Sequence, residues 1–222
     1  MPPAVVFLDF DGLMCDTERA AHQSWRDLYA RYGLVFPPSV WLRMVGRSDG
    51  EHLAAADLSR RLDRPVPAER LDWRRRRKRW LADREPLLPG VAGLLDAAAQ
   101  RDIPVVVVSS SPRSWVNGHL TRLGAADRLA FLVTGEDAVS HKPAPDLYLA
   151  ALSRAGVAAR TAVALEDSPS GVQAARGAGV PCVAVAGSGG AAGTRYDLTA
   201  ADLVLDSVER FDLDSPVLAE RM

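Results

Sequence analysis

Cysteine is scarce in this sequence of 222 residues, and long apolar runs and an excess of one charge are missing. Cys15 and Cys182 lie far apart and match no metal-binding or redox spacing, so we expect two reduced thiols. No apolar run approaches the roughly 20 residues that span a bilayer, and the short apolar start, 5–8, lacks the basic flank of a signal peptide. These absences predict a cytoplasmic protein with no membrane partner.

The charges of the sequence balance, with a formal net charge of -1. A chain this close to neutrality has no overall field that would hold DNA or RNA, so we expect no nucleic-acid partner. Hydrophobic residues make up 48% and charged residues 25%, which is typical of a globular protein that buries a core.

Short apolar runs rich in β-branched residues recur along the chain with helical segments between them. Unbroken runs of this kind are typical of parallel strands that are covered on both faces. The sequence therefore predicts an α/β fold, a Rossmann-like parallel sheet with helices on both faces. The predicted strands are 4–8, 103–108, 131–133, 161–165, 181–185 and 202–205.

The alternation of strands and helices stops between about Thr17 and Glu85, where several helices follow one another without a convincing strand. Proline and glycine close this stretch at 86–90, where they disfavour a continued helix. We predict an inserted α-helical cap domain at 16–87 and a catalytic core formed by 1–15 and 88–222.

Acidic and polar side chains follow four of the predicted strands. Because the carboxyl ends of parallel strands meet at one edge of a sheet, we expect these side chains to lie together. They are Asp9 and Asp11 after the first strand, Ser109 and Ser110 after the second, Lys142 after the third, and Glu166 and Asp167 after the fourth. Clustered carboxylates repel each other unless a cation lies among them, and hard oxygen ligands suit Mg²⁺.

The same edge also suits a phosphate group. The cation of Lys142, the hydroxyl of Ser109 and a helix that begins near Pro112 would each stabilise an anion with several oxygens. Phosphoryl transfer needs positioning, charge compensation and one oxygen nucleophile in line with the phosphorus. Asp9 can be that nucleophile, which would give an aspartyl phosphate.

Four motifs stand in order in the sequence: Asp9-Phe10-Asp11-Gly12, Val108-Ser109-Ser110-Ser111, Lys142-Pro143-Ala144-Pro145-Asp146 and Leu165-Glu166-Asp167-Ser168-Pro169-Ser170-Gly171. In order and spacing they resemble the haloacid dehalogenase superfamily, in its phosphatase and phosphomutase branch with a helical cap. A single D-x-D-G string would carry little weight, but four motifs in register with predicted strands carry much more.

The resemblance implies a role for each motif residue. Asp9 would attack phosphorus, and Asp11 would act as general acid and then as general base. Ser109, with Ser110 beside it, and Lys142 would hold the phosphoryl group. Mg²⁺ would be bound by Asp9, by the backbone carbonyl of Asp11 and by Asp167, with Glu166 close by. Asp11 favours phosphate esters over haloacids, because a leaving alkoxide needs a proton donor and a leaving halide does not.

Three residues of the predicted cap are candidates for contacting the substrate. Arg47 lies in a stretch that resembles the cap segment facing the cleft, although an exposed arginine at a helix junction is an equal alternative. Glu18 follows Asp16-Thr17, which we interpret as the start of a helix. His22 shares a helix face with Glu18, and a structural histidine is the alternative.

The basic run from Arg74 to Arg79 is interpreted as a solvated cap helix, with Trp73 and Trp80 one heptad apart on its buried side. Attraction of an anionic substrate and a partner surface are the alternatives.

The sequence thus predicts a Mg²⁺-dependent phosphatase acting on a small phosphorylated metabolite, with a sugar phosphate favoured. One alternative is a sugar phosphomutase of the β-phosphoglucomutase kind, which would return the phosphoryl group to a sugar hydroxyl. The other is a receiver-like signalling protein, which also combines an acidic metal cluster with a phosphorylated aspartate. The sequence does not indicate an oligomeric state, and we favour a monomer.

Overall fold

The computed structural model describes residues 2–44, 50–186 and 196–214. The strands in these ranges are β1 (Val5–Leu8), β2 (Val105–Val108), β3 (Phe131–Val133), β4 (Ala162–Glu166), β5 (Cys182–Val185) and β6 (Leu203–Leu205). The α-helices are α1 (Thr17–Ala30), α2 (Pro38–Met44), α3 (Gly50–Leu62), α4 (Ala68–Ala82), α5 (Val91–Ala99), α6 (Arg113–Arg122), α7 (Asp146–Ala155) and α8 (Pro169–Gly177). No helix in the described ranges combines the length and the apolar character needed to cross a membrane.

The six strands form one parallel sheet in the order β3-β2-β1-β4-β5-β6. Val5 and Phe7 of β1 pack into an apolar cluster with α7 and α8, while Val6 and Leu8 pack into another with α5 and α6. Alternate side chains of a strand point to opposite faces, so a strand covered on both faces must be apolar throughout. The predicted α/β fold class is confirmed, and each predicted strand is present.

Strand β1 lies at the centre of the sheet, between β2 and β4. The chain builds β2 and β3 on one side of β1 and then crosses to build β4, β5 and β6 on the other. The carboxyl ends of β1, β2 and β4 therefore border the point where the strand order reverses, which is where open α/β sheets bind ligands.

Helices α1 to α4 lie between β1 and α5 and have an apolar cluster of their own. The largest buried side chains of this cluster are Trp25, Tyr29, Phe36 and Trp41. The helical insert expected from the sequence is therefore present. The domain boundaries at 16 and 87 stay a prediction.

The two ends of the insert lie side by side. Cys15 forms one backbone bridge with Asp11 and another with Leu87, and the amide of Leu88 donates a 2.9 Å hydrogen bond to the carbonyl of Met14. The chain therefore leaves the sheet and returns to it at a single place.

Helix α4 does not have the predicted orientation. Trp80 is 47% exposed and Trp73 is half-buried, whereas Arg74 is only 2% exposed. The guanidinium of Arg74 lies 4.6 Å from the ring centre of Trp25 and pairs with Glu51 at 2.5 Å, so its charge is partnered where it is buried. The prediction that both tryptophans lie on the buried side is wrong, because an arginine stem with a partnered head can fill an apolar site.

Candidate active site

The chain turns sharply after β1 and brings Asp9 and Asp11 to the sheet edge. The amide of Asp9 donates a 3.1 Å hydrogen bond to the carbonyl of Leu165, which continues the ladder with β4. Gly12 has a φ of 90°, and a Cβ atom on it would lie only 2.0 Å from Oδ2 of Asp167. Glycine at this position therefore allows the turn and the close approach of the loop after β1 to the end of β4.

Lys142 lies buried at the centre of the edge. Its Nζ donates hydrogen bonds to Oδ1 of Asp9 at 2.5 Å, to Oε1 of Glu166 at 2.6 Å and to the carbonyl of Val108 at 2.8 Å. These three bonds use all three ammonium protons. Burial opposes the charge of Lys142, but the carboxylates of Asp9 and Glu166 outweigh it and raise the pKa of the ammonium.

Asp9, Glu166 and Asp167 form a buried acidic group, with one oxygen from each lying within 4.8 Å of the others. Burial raises the pKa of Asp9 and of Asp167 well above the usual range, and the neighbouring carboxylates raise both further. Lys142 supplies only one positive charge to these three carboxylates. A divalent cation would neutralise the rest, and an all-oxygen ligand set suits Mg²⁺, so these residues fit the expected metal.

Glu166 is held from two sides. Its Oε1 also accepts a 2.6 Å hydrogen bond from the hydroxyl of Tyr148, and its Oε2 is buried with no hydrogen-bond partner in the described structure. A Cβ atom on Gly171 would lie 1.8 Å from that Oε2. The glycine thus leaves room for an unpartnered carboxylate oxygen, which is the kind of atom that a cation would satisfy.

The side chain of Asp11 is separate from the acidic group and accepts hydrogen bonds from four donors. Its Oδ1 accepts from the hydroxyl of Thr17 at 2.5 Å and from Nε1 of Trp115 at 2.9 Å. Its Oδ2 accepts from the hydroxyls of Ser111 at 2.5 Å and Ser109 at 3.4 Å. Asp16 caps α1 as predicted. Thr17 begins the same helix and also donates its hydroxyl to Asp11, a contact that the sequence did not predict.

A cavity of about 380 Å³ separates the sheet edge from the insert. The sheet edge lines it with Asp9, Asp11, Ser109, Ser110, Lys142 and Asp167, and the insert lines it with Thr17, Glu18, Trp41, Glu51 and Lys78 among others. Burial raises the pKa of Glu18 to about 7, although the ammonium of Lys78 opposes the shift. The structure therefore places the predicted Glu18 at the cavity.

The other two cap candidates have different outcomes. His22 is not among the described residues that line the cavity, and its ring packs 4.9 Å from Trp41 and 5.7 Å from Phe36. The half-buried ring thus packs against the aromatic cluster of the insert, and a role of His22 in substrate contact stays a prediction. Arg47 lies outside the described residues.

Four residues at or near the cavity were not predicted as site residues from the sequence. Lys78 and Glu51 line it from α4 and α3, and their charged atoms lie 3.9 Å apart. Trp115 bonds to Asp11 from α6, and Trp41 lines the cavity from α2. The basic run containing Lys78 was the available signal, since attraction of an anionic substrate was one of its alternative interpretations.

Comparison with known proteins agrees with this geometry. The family model described as haloacid dehalogenase-like hydrolase matches residues 5–185. A protein named as a phosphatase, YhcW of Bacillus subtilis (strain 168), is 35% identical over 186 residues. The match covers 83% of this chain and 84% of that protein. A phosphorylated carbohydrates phosphatase of Thermotoga maritima is 28% identical over 177 residues, covering 80% of this chain and 82% of that one.

Solved structures share the fold along almost the whole chain. A HAD family hydrolase from Deinococcus radiodurans R1, with bound phosphate and sodium, superposes with a TM-score of 0.77 at 25% identity, covering 99% of this chain and 96% of that one. The family match, the sequence relatives and the fold lead to the same assignment as the four motifs. The chain belongs to the haloacid dehalogenase-like hydrolase family.

Proposed function

We propose that this protein is a Mg²⁺-dependent phosphatase that hydrolyses a small phosphorylated metabolite, a sugar phosphate by preference, through an aspartyl-phosphate intermediate. One observation supports the proposal above all: a buried Asp9 paired with Lys142 shares its cavity with a second aspartate, Asp11, that lies outside the acidic group. A nucleophile and a proton donor are thus held apart on one surface.

Asp9 and Asp11 at the sheet edge have separate roles in the proposed reaction. An oxygen of Asp9 attacks phosphorus, and the bond from phosphorus to the ester oxygen breaks with its electron pair leaving on that oxygen. Asp11 gives its proton to the leaving oxygen. In the second half, Asp11 takes a proton from water, the water oxygen attacks phosphorus, and Asp9 and inorganic phosphate are released.

Charge compensation comes from Lys142 and Ser109, which lie beside Asp9 and Asp11 and would hold the phosphoryl oxygens. Mg²⁺, held by Asp9, Asp167 and the backbone carbonyl of Asp11 with Glu166 nearby, would supply the positive charge that these carboxylates lack.

The insert side of the cavity supports a polar substrate. Glu18 and Glu51 offer carboxylate oxygens and Lys78 offers an ammonium, all able to bond to hydroxyl groups. The cavity volume is in the range of small-ligand sites. The phosphorylated carbohydrates phosphatase among the relatives is consistent with this choice.

We favour the phosphatase over the mutase because the resemblance places a cap histidine near the position of His22 in the mutase branch, and His22 is not among the described residues that line the cavity. His22 packs against Trp41 instead. Incubation with β-glucose 1-phosphate separates the two activities: the phosphatase releases free phosphate, and the mutase forms glucose 6-phosphate with little free phosphate. The receiver alternative is set aside, since the chain belongs to a hydrolase family. The cytoplasmic location and the monomeric state stay predictions.

The direct test is phosphate release from a panel of sugar phosphates and from p-nitrophenyl phosphate, with Mg²⁺ and with a chelator. Asp9→Asn should lose activity by roughly 10⁴- to 10⁶-fold, the range that removal of a triad residue costs in a covalent protease. Asp127→Asn is the matched control, because Asp127 is an exposed aspartate remote from the cavity. Unchanged turnover in Asp9→Asn would overturn the aspartyl-phosphate route.

A further inference from the structure

The geometry points to Trp115 as a positioning residue that keeps the transferable proton of Asp11 on Oδ2, the oxygen that faces Ser109. This inference deepens the proposed function and rests on it, because it takes Asp11 as the proton donor. Trp115 lies outside the four motifs, in the first turn of α6.

The four donors to Asp11 differ in kind. Thr17, Ser109 and Ser111 present hydroxyl groups, which can rotate and can accept a hydrogen bond as readily as donate one. The indole Nε1 of Trp115 can only donate, and it does so to Oδ1 at 2.9 Å. When Asp11 is protonated, Oδ1 must therefore remain the acceptor, and the proton lies on Oδ2.

The position of Oδ2 matches its task. It is the Asp11 oxygen within 3.4 Å of the Ser109 hydroxyl, and Ser109 is the residue expected to hold the phosphoryl group. A general acid must lie within about 2.6–3.2 Å of the atom that it protonates, so a proton on the wrong oxygen would be out of reach. The indole selects the oxygen without competing for the proton.

The indole ring itself is fixed from both sides. The His119 ring, buried on the same helix, meets it edge-on at 4.3 Å and is stacked 6.0 Å from Phe10. From the insert, the ammonium of Lys78 lies 4.8 Å from the ring centre. The direction of the N–H bond is thus set by the packing of α6 against Phe10 and against the insert.

Replacing Trp115 with phenylalanine removes the N–H donor and retains an aromatic ring. The test compares kcat/KM for a sugar phosphate, whose alkoxide needs a proton, with kcat/KM for p-nitrophenyl phosphate, whose leaving group does not. We expect Trp115→Phe to lower the first value about tenfold, the upper end of what one neutral hydrogen bond contributes, and the second by less than threefold. Equal losses on both substrates, or no loss on either, would overturn the inference.

Two further variants separate positioning from general damage. Trp115→His keeps a ring N–H, and its kcat/KM for the sugar phosphate should be at least threefold higher than that of Trp115→Phe. In an Asp11→Asn background, where no proton is left to place, Trp115→Phe should change kcat/KM by less than twofold. A full additional loss in that background would contradict the proposed role. If Trp115→Phe fails to fold, as judged by thermal unfolding, the His variant alone decides: a selective loss on p-nitrophenyl phosphate would contradict the inference.

Failure of this inference is distinguishable from failure of the proposed function. If the protein is not a phosphatase of the proposed kind, the unmodified chain hydrolyses neither substrate, or does so without Asp9. If only the inference fails, the unmodified chain hydrolyses both substrates and Trp115→Phe leaves their ratio unchanged.

Discussion

The cavity has two walls of different construction. The core wall (Asp9, Asp11, Ser109, Lys142 and Asp167) follows the ends of parallel strands and is largely buried. The insert wall (Glu18, Trp41, Glu51 and Lys78) comes from the four helices of the insert, and its charged side chains are half-buried or exposed. Strand ends are fixed by the neighbouring strands, whereas helix faces depend on side-chain packing. The difference suggests that chemistry is assigned to the core wall and substrate choice to the insert wall.

Lys142→Met tests the core wall with the largest expected effect. Without the ammonium, Asp9 and Glu166 become unpaired buried carboxylates, and breaking a buried ion pair from one side costs about 3–5 kcal/mol. We expect the free energy of unfolding to fall by about that amount in urea denaturation, with loss of phosphatase activity.

Lys78→Met is the matched control in the insert wall, because the Lys78 ammonium is partly exposed and lies 3.9 Å from Glu51. Its effect on the free energy of unfolding should be below about 1 kcal/mol. Equal losses in the free energy of unfolding for Lys142→Met and Lys78→Met would contradict the difference between the two walls.

Arg74→Ala tests the support of the insert wall. The side chain is almost fully buried, pairs with Glu51 and stacks on Trp25. Its removal would leave a cavity and would take away the ion pair that holds Glu51 in the insert wall. We expect the free energy of unfolding to fall by about 2–4 kcal/mol. The next residue, Arg75, is exposed, and Arg75→Ala should change the same quantity by less than about 0.5 kcal/mol. Similar results for both would mean that Arg74 does not support the wall.

Gly171→Ala tests the space behind Glu166. The new methyl group would overlap Oε2 of that residue, and overpacking of a fitted site costs about 1–3 kcal/mol. Displacement of Glu166 should also raise the Mg²⁺ concentration needed for half-maximal activity. Gly118→Ala, in α6 with open space around it, should instead increase stability by about 0.5–1 kcal/mol. Thermal and urea unfolding of both variants, with a Mg²⁺ titration of activity, checks the pair.

Lys78→Met has the smallest expected catalytic effect and asks whether the insert wall reads the substrate. Loss of one ammonium contact should raise KM for the preferred sugar phosphate about tenfold and leave kcat within threefold. Arg76→Met, an exposed change on the same helix, is the control for overall charge. An equal rise in KM for both variants would indicate general electrostatic attraction in place of a specific contact.

The sequence predicted the core wall because its residues are defined by position along the chain. Asp9 follows β1 directly and Asp167 follows β4 directly, so recognising the apolar strands was enough to place both at one edge. The fold class followed from the same apolar runs.

The insert wall could not be predicted in the same way. Helix α4 has charged residues all around its axis and no apolar stripe, so its rotation, and with it the position of Lys78, depends on packing partners elsewhere in the chain. Trp115 and Asp11 are 104 residues apart and meet only because α6 packs beside the loop after β1. For His22 the sequence did not predict its aromatic neighbours, Phe36 and Trp41, because both come from a part of the insert beyond α1.

The pairing of Cys15 with Leu87 has a consequence for how such a protein could acquire new substrates. Because the insert begins and ends at adjacent backbone positions, replacing it with a helical segment of another length would leave the spacing of β1 and α5 unchanged. We therefore expect the insert to be exchangeable as a unit. Chimeras that join this core to the insert of a relative should retain the aspartate chemistry and adopt the donor's substrate preference.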